Sequence, residues 1–251
     1  MELQKASMWK RMSAWLFDNI LLVILAVLFG FALSALLGYD THSAALEATY
    51  DKYESQYGIE FDITQEAYAA LSEQERANYD AAYEALIKDD EANYIYNMVV
   101  NLTLVITSVG LLIAVAALEF VIPLWLKNGQ TLGKKIFGVA LVRNDGVRLN
   151  TMQLFVRMLL GKYTVGTMVP VLICIMLIFG VVGLFGTMLL LGIWLAQLLC
   201  LLCTQNKVGL ADLMAGTVPV ELNSQRIFGS TEELIEYTKK IHAERAARQD
   251  Y

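Results

Sequence analysis

Two carboxylates, Asp18 and Glu119, stand inside long apolar stretches of the sequence, where an ionised side chain is costly unless it meets a partner. Arg11 lies seven positions before Asp18, which on an α-helix places both side chains on one face, two turns apart. Ala14 stands between them and is small enough to let another helix approach. The spacing therefore predicts a polar centre in which an arginine meets buried acids.

Three kinds of chemistry fit such a centre. Both acids stand near the ends of their apolar stretches, which favours an ion-pair and hydrogen-bond staple that joins helices at one membrane boundary. Buried acids whose pKa is raised are also suited to carry protons or cations. Binding of lipid headgroups is the third alternative. The sequence leaves all three open.

A glycine-rich stretch at 129–138 contains two adjacent lysines. It differs from a phosphate-binding Walker loop because only three residues separate its first two glycines and a lysine stands where Ser or Thr is needed. A tight turn that presents lysines to anionic lipid headgroups is the better interpretation. To this lipid-headgroup or cytoplasmic motif we assign Gly129, Gly133, Lys134, Lys135, Gly138 and Arg157.

Other reactive side chains give no sign of a catalytic centre. His42 and His242 are isolated in the sequence, so no metal site is predicted. Cys174, Cys200 and Cys203 fall inside apolar runs, where cysteine packs as a small hydrophobic residue. We therefore expect no catalytic residue, no cofactor and no enzyme.

The elements that must position the polar centre are membrane spans. The chain has 251 residues, of which 57% are hydrophobic and 18% charged, and its mean hydropathy is +0.49. The apolar residues form blocks, and an α-helix needs about 20 such residues to cross a bilayer. We predict an all-α polytopic membrane protein whose four transmembrane helices lie at 14–37, 98–126, 164–179 and 184–203.

Charge separates the connecting segments into two classes. Residues 127–163 carry seven Lys/Arg against one acid, whereas residues 38–97 carry fourteen Asp/Glu against three Lys/Arg. Because basic loops stay in the cytoplasm, the first segment is predicted to be a cytoplasmic connector and the second an acidic extracytoplasmic loop. Residues 1–13 and 204–251 are then cytoplasmic too, as in a bacterial inner-membrane protein.

The connecting segments have secondary-structure signals of their own. A capping-box pattern at 72–75, followed by apolar residues at helical spacing, predicts that the acidic loop folds as a helical hairpin with a break at Gly58. Residues 139–149 predict a small β-hairpin in the connector. A second capping box at 230–233 opens a C-terminal helix.

Several of these stretches resemble the RDD family of integral membrane proteins. The similar residues are Arg11 to Asp18, Gly129 to Gly138, Asp145 with Gly146, Gln153 to Arg157, and Gly209 to Thr217. The family takes its name from one arginine and two aspartates, which by position are Arg11, Asp18 and Asp212. The resemblance implies a bacterial protein of a family suggested to transport unknown ligands, with some members similar to sodium/proton antiporters. This chain departs from the family at Ala211, where a histidine is common, and in its long acidic loop.

Two functional hypotheses follow. In the first, the protein is a small transporter of cations coupled to protons, with Arg11, Asp18, Glu119 and Asp212 as its polar centre. In the second, it is a non-transporting membrane scaffold or assembly protein in which these residues are structural. A water-accessible cavity beside the acids would favour the first, and paired acids sealed by packing would favour the second.

The two hypotheses share most of their expected partners. Both need the lipid bilayer, and neither involves nucleic acid. The transporter also needs a small cation or another ligand, whereas the scaffold binds protein partners through the outer acidic loop and the cytoplasmic tail. Gly180, Gly183 and Gly186 permit close helix contacts within one chain or between copies, so a homo-oligomer is a further expectation.

Overall fold

The computed structural model describes residues 3–126, 128–178, 180–204 and 206–249. Lys127, counted in the basic connector, and Phe179, the predicted end of the third span, lie outside the described residues, as do the two outermost residues at each terminus. The protein is mostly helical. Four described helices are long and apolar enough to cross a membrane, and we call them span helices 1 to 4: Met8–Leu37, Asp90–Leu126, Thr151–Ile178 and Gly183–Cys203. The predicted four-span helical fold is confirmed.

The chain divides into two compact units, of which the smaller is Leu28–Gly110. Within it, the acidic loop forms the helices Tyr39–Tyr57, Gln65–Ala70 and Glu73–Lys88. The first of these helices ends where Gly58 adopts φ +67°, a left-handed conformation that glycine reaches without strain. The third begins with the predicted reciprocal capping box between Ser72 and Glu75.

The larger unit combines Met1–Val27 with Leu111–Tyr251 and contains the connector and the tail. Beyond the span helices it holds, in chain order, the helix Leu132–Ile136, strand β1 at Val139–Arg143, the helix Leu210–Ala215, strand β2 at Thr217–Glu221, a 3-10 turn at Leu222–Ser224 and the tail helix Thr231–Gln249. Span helix 4 ends at Cys203, so β2 and the tail helix follow the last span.

The small sheet pairs the connector with the tail. β1 and β2 run antiparallel, with Val139 opposite Glu221 and Arg143 opposite Thr217. The N-terminal segment joins them, because Lys5 makes a bridge to Val220 and the amide of Glu221 donates to the carbonyl of Gln4 at 3.0 Å. N-terminus, connector and tail therefore form one body.

The partner of β1 differs from the one that the sequence predicted. Within the expected hairpin at 139–149, only an isolated bridge joins Val142 to Arg148, and β2 supplies the full ladder instead. The physical reason is burial: Val218 and Val220 of β2 pack with the buried side chains of β1, where the short segment after the turn could cover little.

Two span helices contain π-helical turns that end shortly before a proline. Ala117–Val121 precedes Pro123 in span helix 2, and Arg157–Met168 precedes Pro170 in span helix 3. Proline cannot donate to the carbonyl four residues earlier and its ring crowds that carbonyl, so a widened turn relieves the conflict.

Span helix 3 also begins earlier than the sequence predicted. The prediction let the connector run to residue 163 and began the third span at 164, whereas one continuous helix runs from Thr151 to Ile178. The hydroxyls of Thr164 and Thr167 donate to the carbonyls of Leu159 and Lys162 at 2.8 and 2.9 Å. These bonds satisfy carbonyls inside the widened turns, so the helix continues through them.

Candidate functional site

A group of charged side chains lies buried where the span helices meet the connector and the tail. We call it the ion cluster, and its members are Asp18, Glu119, Lys134, Arg157, Lys162 and Asp212. Span helices 1, 2 and 3, the helix Leu132–Ile136 and the helix Leu210–Ala215 each supply at least one member. Three carboxylates face three cations, so the cluster is neutral as a set.

Asp18 occupies the cluster's first end, against the glycine-rich stretch of the connector. Its carboxylate accepts from the hydroxyl of Thr131 at 2.5 Å and from the amide of Gly133 at 2.8 Å, and Lys134 Nζ lies 3.5 Å away. Thr131 also caps the helix Leu132–Ile136 by accepting from the amide of Lys134. The carboxylate therefore fixes the connector to span helix 1.

Arg157 forms the middle of the cluster and is 2% exposed. Its Nη1 donates to Glu119 Oε2 at 2.5 Å, and its Nε donates to Asp212 Oδ1 at 2.7 Å. One planar guanidinium thus bridges two carboxylates from different parts of the chain, a geometry that a lysine cannot provide. Glu119 and Arg157 both lie on the π-helical turns described above.

Lys134 and Lys162 complete the charge balance around Glu119. Lys134 Nζ lies 3.7 Å from Glu119 Oε2, and Lys162 Nζ lies 3.4 Å from Glu119 Oε1. Burial lowers the pKa of Lys134, although the acids around it oppose that shift. At Asp212 burial favours the neutral form, but the Arg157 guanidinium outweighs it and holds the pKa below its ordinary value.

Two glycines beside the cluster, Gly133 and Gly161, stand where neighbouring segments approach too closely to leave room for a side chain. A Cβ at Gly133 would come within 2.5 Å of the carbonyl oxygen of Ala14 and 2.8 Å of Asp18 Oδ1. A Cβ at Gly161 of span helix 3 would overlap Ala211, which precedes Asp212. Glycine at both positions lets the connector and the post-span helix reach the span helices closely enough for their charges to meet.

The structure places the predicted polar centre only in part as expected. Asp18, Glu119 and Asp212 belong to one cluster, but among the described ion pairs the cation near Asp18 is Lys134 and not Arg11. Arg11 Nη2 instead donates to the carbonyl of Lys207 at 2.6 Å. Lys207 adopts φ +49°, an uncommon conformation for a side-chain-bearing residue, so this bond holds a strained turn.

The predicted lipid-headgroup motif separates into buried and exposed members. Lys134 and Arg157 lie inside the ion cluster, with side chains 12% and 3% exposed, whereas Lys135 is exposed. Gly129 and Gly138 adopt φ +62° and +66° and form the turns on either side of the helix Leu132–Ile136.

Sequence reasoning missed the central role of Arg157 and gave no role to Lys162 or Thr131. The cause is that Arg157 was assigned to the connector at 127–163, so no contact of its guanidinium with Glu119 or Asp212 was expected. An available signal was helical spacing: Gln153, Arg157 and the small residue Gly161 recur every four residues and share one helix face.

A shallow pocket of about 150 Å³ borders one member of the cluster, Asp212. Asn144, Thr204, Asn206 and Thr217 contribute polar groups to its lining. Among the residues that the structure describes, no group of three or more His, Cys, Asp or Glu side chains could hold a metal ion.

Apolar helices of spanning length, joined through a buried ion cluster, define an integral membrane protein. The sequence model of the RDD family matches residues 5–216, which include every member of the cluster, and the chain therefore belongs to the RDD family. Searches among curated proteins and among solved structures gave no match.

Proposed function

We propose that this RDD family protein is a membrane scaffold whose ion cluster holds the spans, connector and tail in one arrangement. The observation that carries the proposal is that each acid of the cluster is already paired and almost sealed from solvent. The carboxylate side chains of Asp18 and Glu119 are 6% exposed and that of Asp212 14%, and each has a cation within 3.5 Å.

The pairing of each acid with a cation argues against a proton or cation relay. A proton carrier needs an acid that changes its protonation state, and a cation site needs spare negative charge. Here Arg157 bridges Glu119 and Asp212, and two lysines approach Glu119 as well. An arriving cation would have to displace a buried guanidinium, which leaves that charge without partners at a cost of several kcal/mol.

The scaffold's partner surfaces lie outside the ion cluster. The acidic loop at 38–97 carries eleven more acids than bases, and Tyr83 and Ile87 are exposed one turn apart on its helix Glu73–Lys88. The tail helix Thr231–Gln249 is charged and mostly exposed. We assign protein partners to these two surfaces, with a basic complement at the acidic loop.

The sidedness belongs to the same proposal: a bacterial inner-membrane protein with both termini in the cytoplasm. Two observations support it, namely the Lys/Arg excess of the connector and the packing of N-terminus, connector and tail as one body. Cysteines placed at Glu73 or Asp80, in a chain whose three native cysteines are replaced, should react with an impermeant reagent in intact cells. Labelling only after lysis would contradict the sidedness.

Ion flux in proteoliposomes tests the scaffold directly. The wild-type protein and Asp18→Asn should both fail to raise the flux of Na⁺, K⁺ or H⁺ above that of empty liposomes. A known antiporter, reconstituted alongside, provides the positive control. Flux that depends on the wild-type protein and disappears in Asp18→Asn would refute the scaffold.

Transport of cations coupled to protons is the second candidate, and the pocket at Asp212 is the observation that favours it. Its lining of carboxylate, hydroxyl and amide oxygens suits a hard cation. In that case flux would be present in wild type, and Asp212→Asn would abolish it while Asn144→Asp preserved it.

A further inference from the structure

A second and larger pocket, of about 450 Å³, lies between span helix 1, the connector and the end of β2. It is lined by Lys10, Lys135, Phe137, Glu221, Leu222 and Asn223, together with Ile136 and Gly138. None of the members of the ion cluster contributes to this lining, so the pocket is separate from the site described above.

The charged groups of this pocket leave an excess of positive charge. Lys10 Nζ pairs with Glu221 Oε1 at 2.5 Å, and Glu221 is the pocket's single acid within the described lining. Lys135 is exposed and makes no ion pair among the described residues. Lys135 is therefore free to bind an anion. Lys10 can contact the same anion while it remains near Glu221.

The surroundings of the pocket place it at the depth of lipid headgroups. Lys10 stands in the first turn of span helix 1. Next to the two lysines in sequence, Trp9 is 78% exposed and Ile136 is 62% exposed. Exposed tryptophan beside lysine at the start of a span is typical of the membrane interface, so the pocket opens where apolar chains and charged headgroups meet.

We propose that this pocket binds the phosphate of an anionic phospholipid headgroup. Lys135 and Lys10 contact the phosphate as point charges, while Ile136 and Phe137 lie beside the acyl chains. Glu221 competes with the lipid for Lys10, which makes the affinity modest and tunable. The site goes beyond the scaffold function and does not depend on it, because it uses neither the ion cluster nor a protein partner.

Native mass spectrometry of the detergent-solubilised full-length protein tests the site. The probes are dioctanoyl phosphatidylglycerol, which is anionic, and dioctanoyl phosphatidylcholine, which carries no net charge. The variants are Lys135→Gln, Lys10→Gln and Glu221→Gln. Lys240→Gln, an exposed lysine of the tail helix, is the matched control for loss of one positive charge.

The wild-type protein should retain one phosphatidylglycerol in preference to phosphatidylcholine. Lys135→Gln should weaken this binding about fivefold, in line with the contribution of one lysine near an anionic surface. Lys10→Gln should weaken binding less than Lys135→Gln does, because Glu221 already neutralises part of the charge of Lys10. Glu221→Gln should strengthen binding about fivefold, a gain that misfolding cannot produce.

Three results would overturn the site. Binding by Lys135→Gln equal to that by Lys240→Gln would remove the pocket from lipid recognition. Equal retention of the two lipids would show that the negative charge of the headgroup does not determine binding. Complete displacement of phosphatidylglycerol by an equal concentration of inorganic phosphate would assign the pocket to a soluble anion and not to a lipid.

Discussion

Replacing Arg157 by methionine is the sharpest test of the ion cluster. Methionine keeps an unbranched side chain and a helix propensity close to that of arginine but removes the guanidinium that bridges two acids. Glu119 loses its 2.5 Å bond but keeps Lys162 at 3.4 Å and Lys134 at 3.7 Å. Asp212 loses its 2.7 Å bond and keeps the hydroxyl of Thr217 at 3.1 Å. Most of the penalty therefore falls on Asp212.

The expected loss of stability follows from the carboxylate that Arg157→Met leaves without its partner. Removing one partner of a buried ion pair costs about 3–5 kcal/mol of unfolding free energy, because the other charge stays buried. We expect Arg157→Met to cost about 4 kcal/mol. Adding Asp212→Asn should then recover about 1–3 kcal/mol, the usual coupling between contacting residues. Arg148→Met, an exposed arginine of the connector, should change stability by less than about 0.5 kcal/mol.

The penalty should depend on pH with a definite sign. In wild type the lowered pKa of Asp212 contributes stability above the ordinary range of aspartate, and acidification removes it as pH falls through the folded pKa. Without Arg157, burial is opposed only by the more distant charges of Lys162 and Lys134, so the pKa of Asp212 is expected to rise from its value in wild type. The deficit of Arg157→Met should therefore shrink on acidification and grow as pH rises through that pKa.

Unfolding by SDS in mixed micelles, followed by tryptophan fluorescence, measures these free energies. The reasoning fails if Arg157→Met is as stable as Arg148→Met. It also fails if Asp212→Asn destabilises the Arg157→Met protein further, since the aspartate would then not be the stranded charge. A deficit that does not change with pH would show that lost packing, and not an unpaired carboxylate, accounts for the effect.

Three further predictions concern separate parts of the fold. Asp18→Asn should insert normally, whereas Asp18→Lys, which faces Lys134 in place of an acid, should lower the yield of membrane-inserted protein; equal yields would contradict the pairing. Gly133→Ala should cost about 1–3 kcal/mol in the same SDS assay because its methyl group has no room, while Gly192→Ala, with open space around it, should cost nothing. Ser72→Ala should cost about 1 kcal/mol of the local stability of the helix Glu73–Lys88, measured as faster hydrogen exchange of its first-turn amides; unchanged exchange would contradict the role of the capping box.

The sequence by itself predicted those features that depend on local composition. Apolar blocks of spanning length give four helices whatever their partners, and the capping pattern at Ser72 specifies a helix start from four neighbouring residues. Asp18 and Glu119 could be recognised for the same reason, since an acid within an apolar block needs a partner. The stretches that resemble the RDD family were likewise readable along the chain, and the match of the family model to residues 5–216 confirms the family.

Only the tertiary structure decided which residues are those partners. Helical spacing put Arg11 on the face of Asp18, yet the cation that approaches Asp18 is Lys134, more than a hundred positions further along. Likewise β1 pairs with β2 and not with the segment that follows it in the sequence. Arg157 of span helix 3 bridges Glu119 and Asp212. Periodicity describes one helix or strand at a time. The meeting of charges and strands from distant segments depends on how the helices pack, including close approaches at Gly133 that no local pattern specifies.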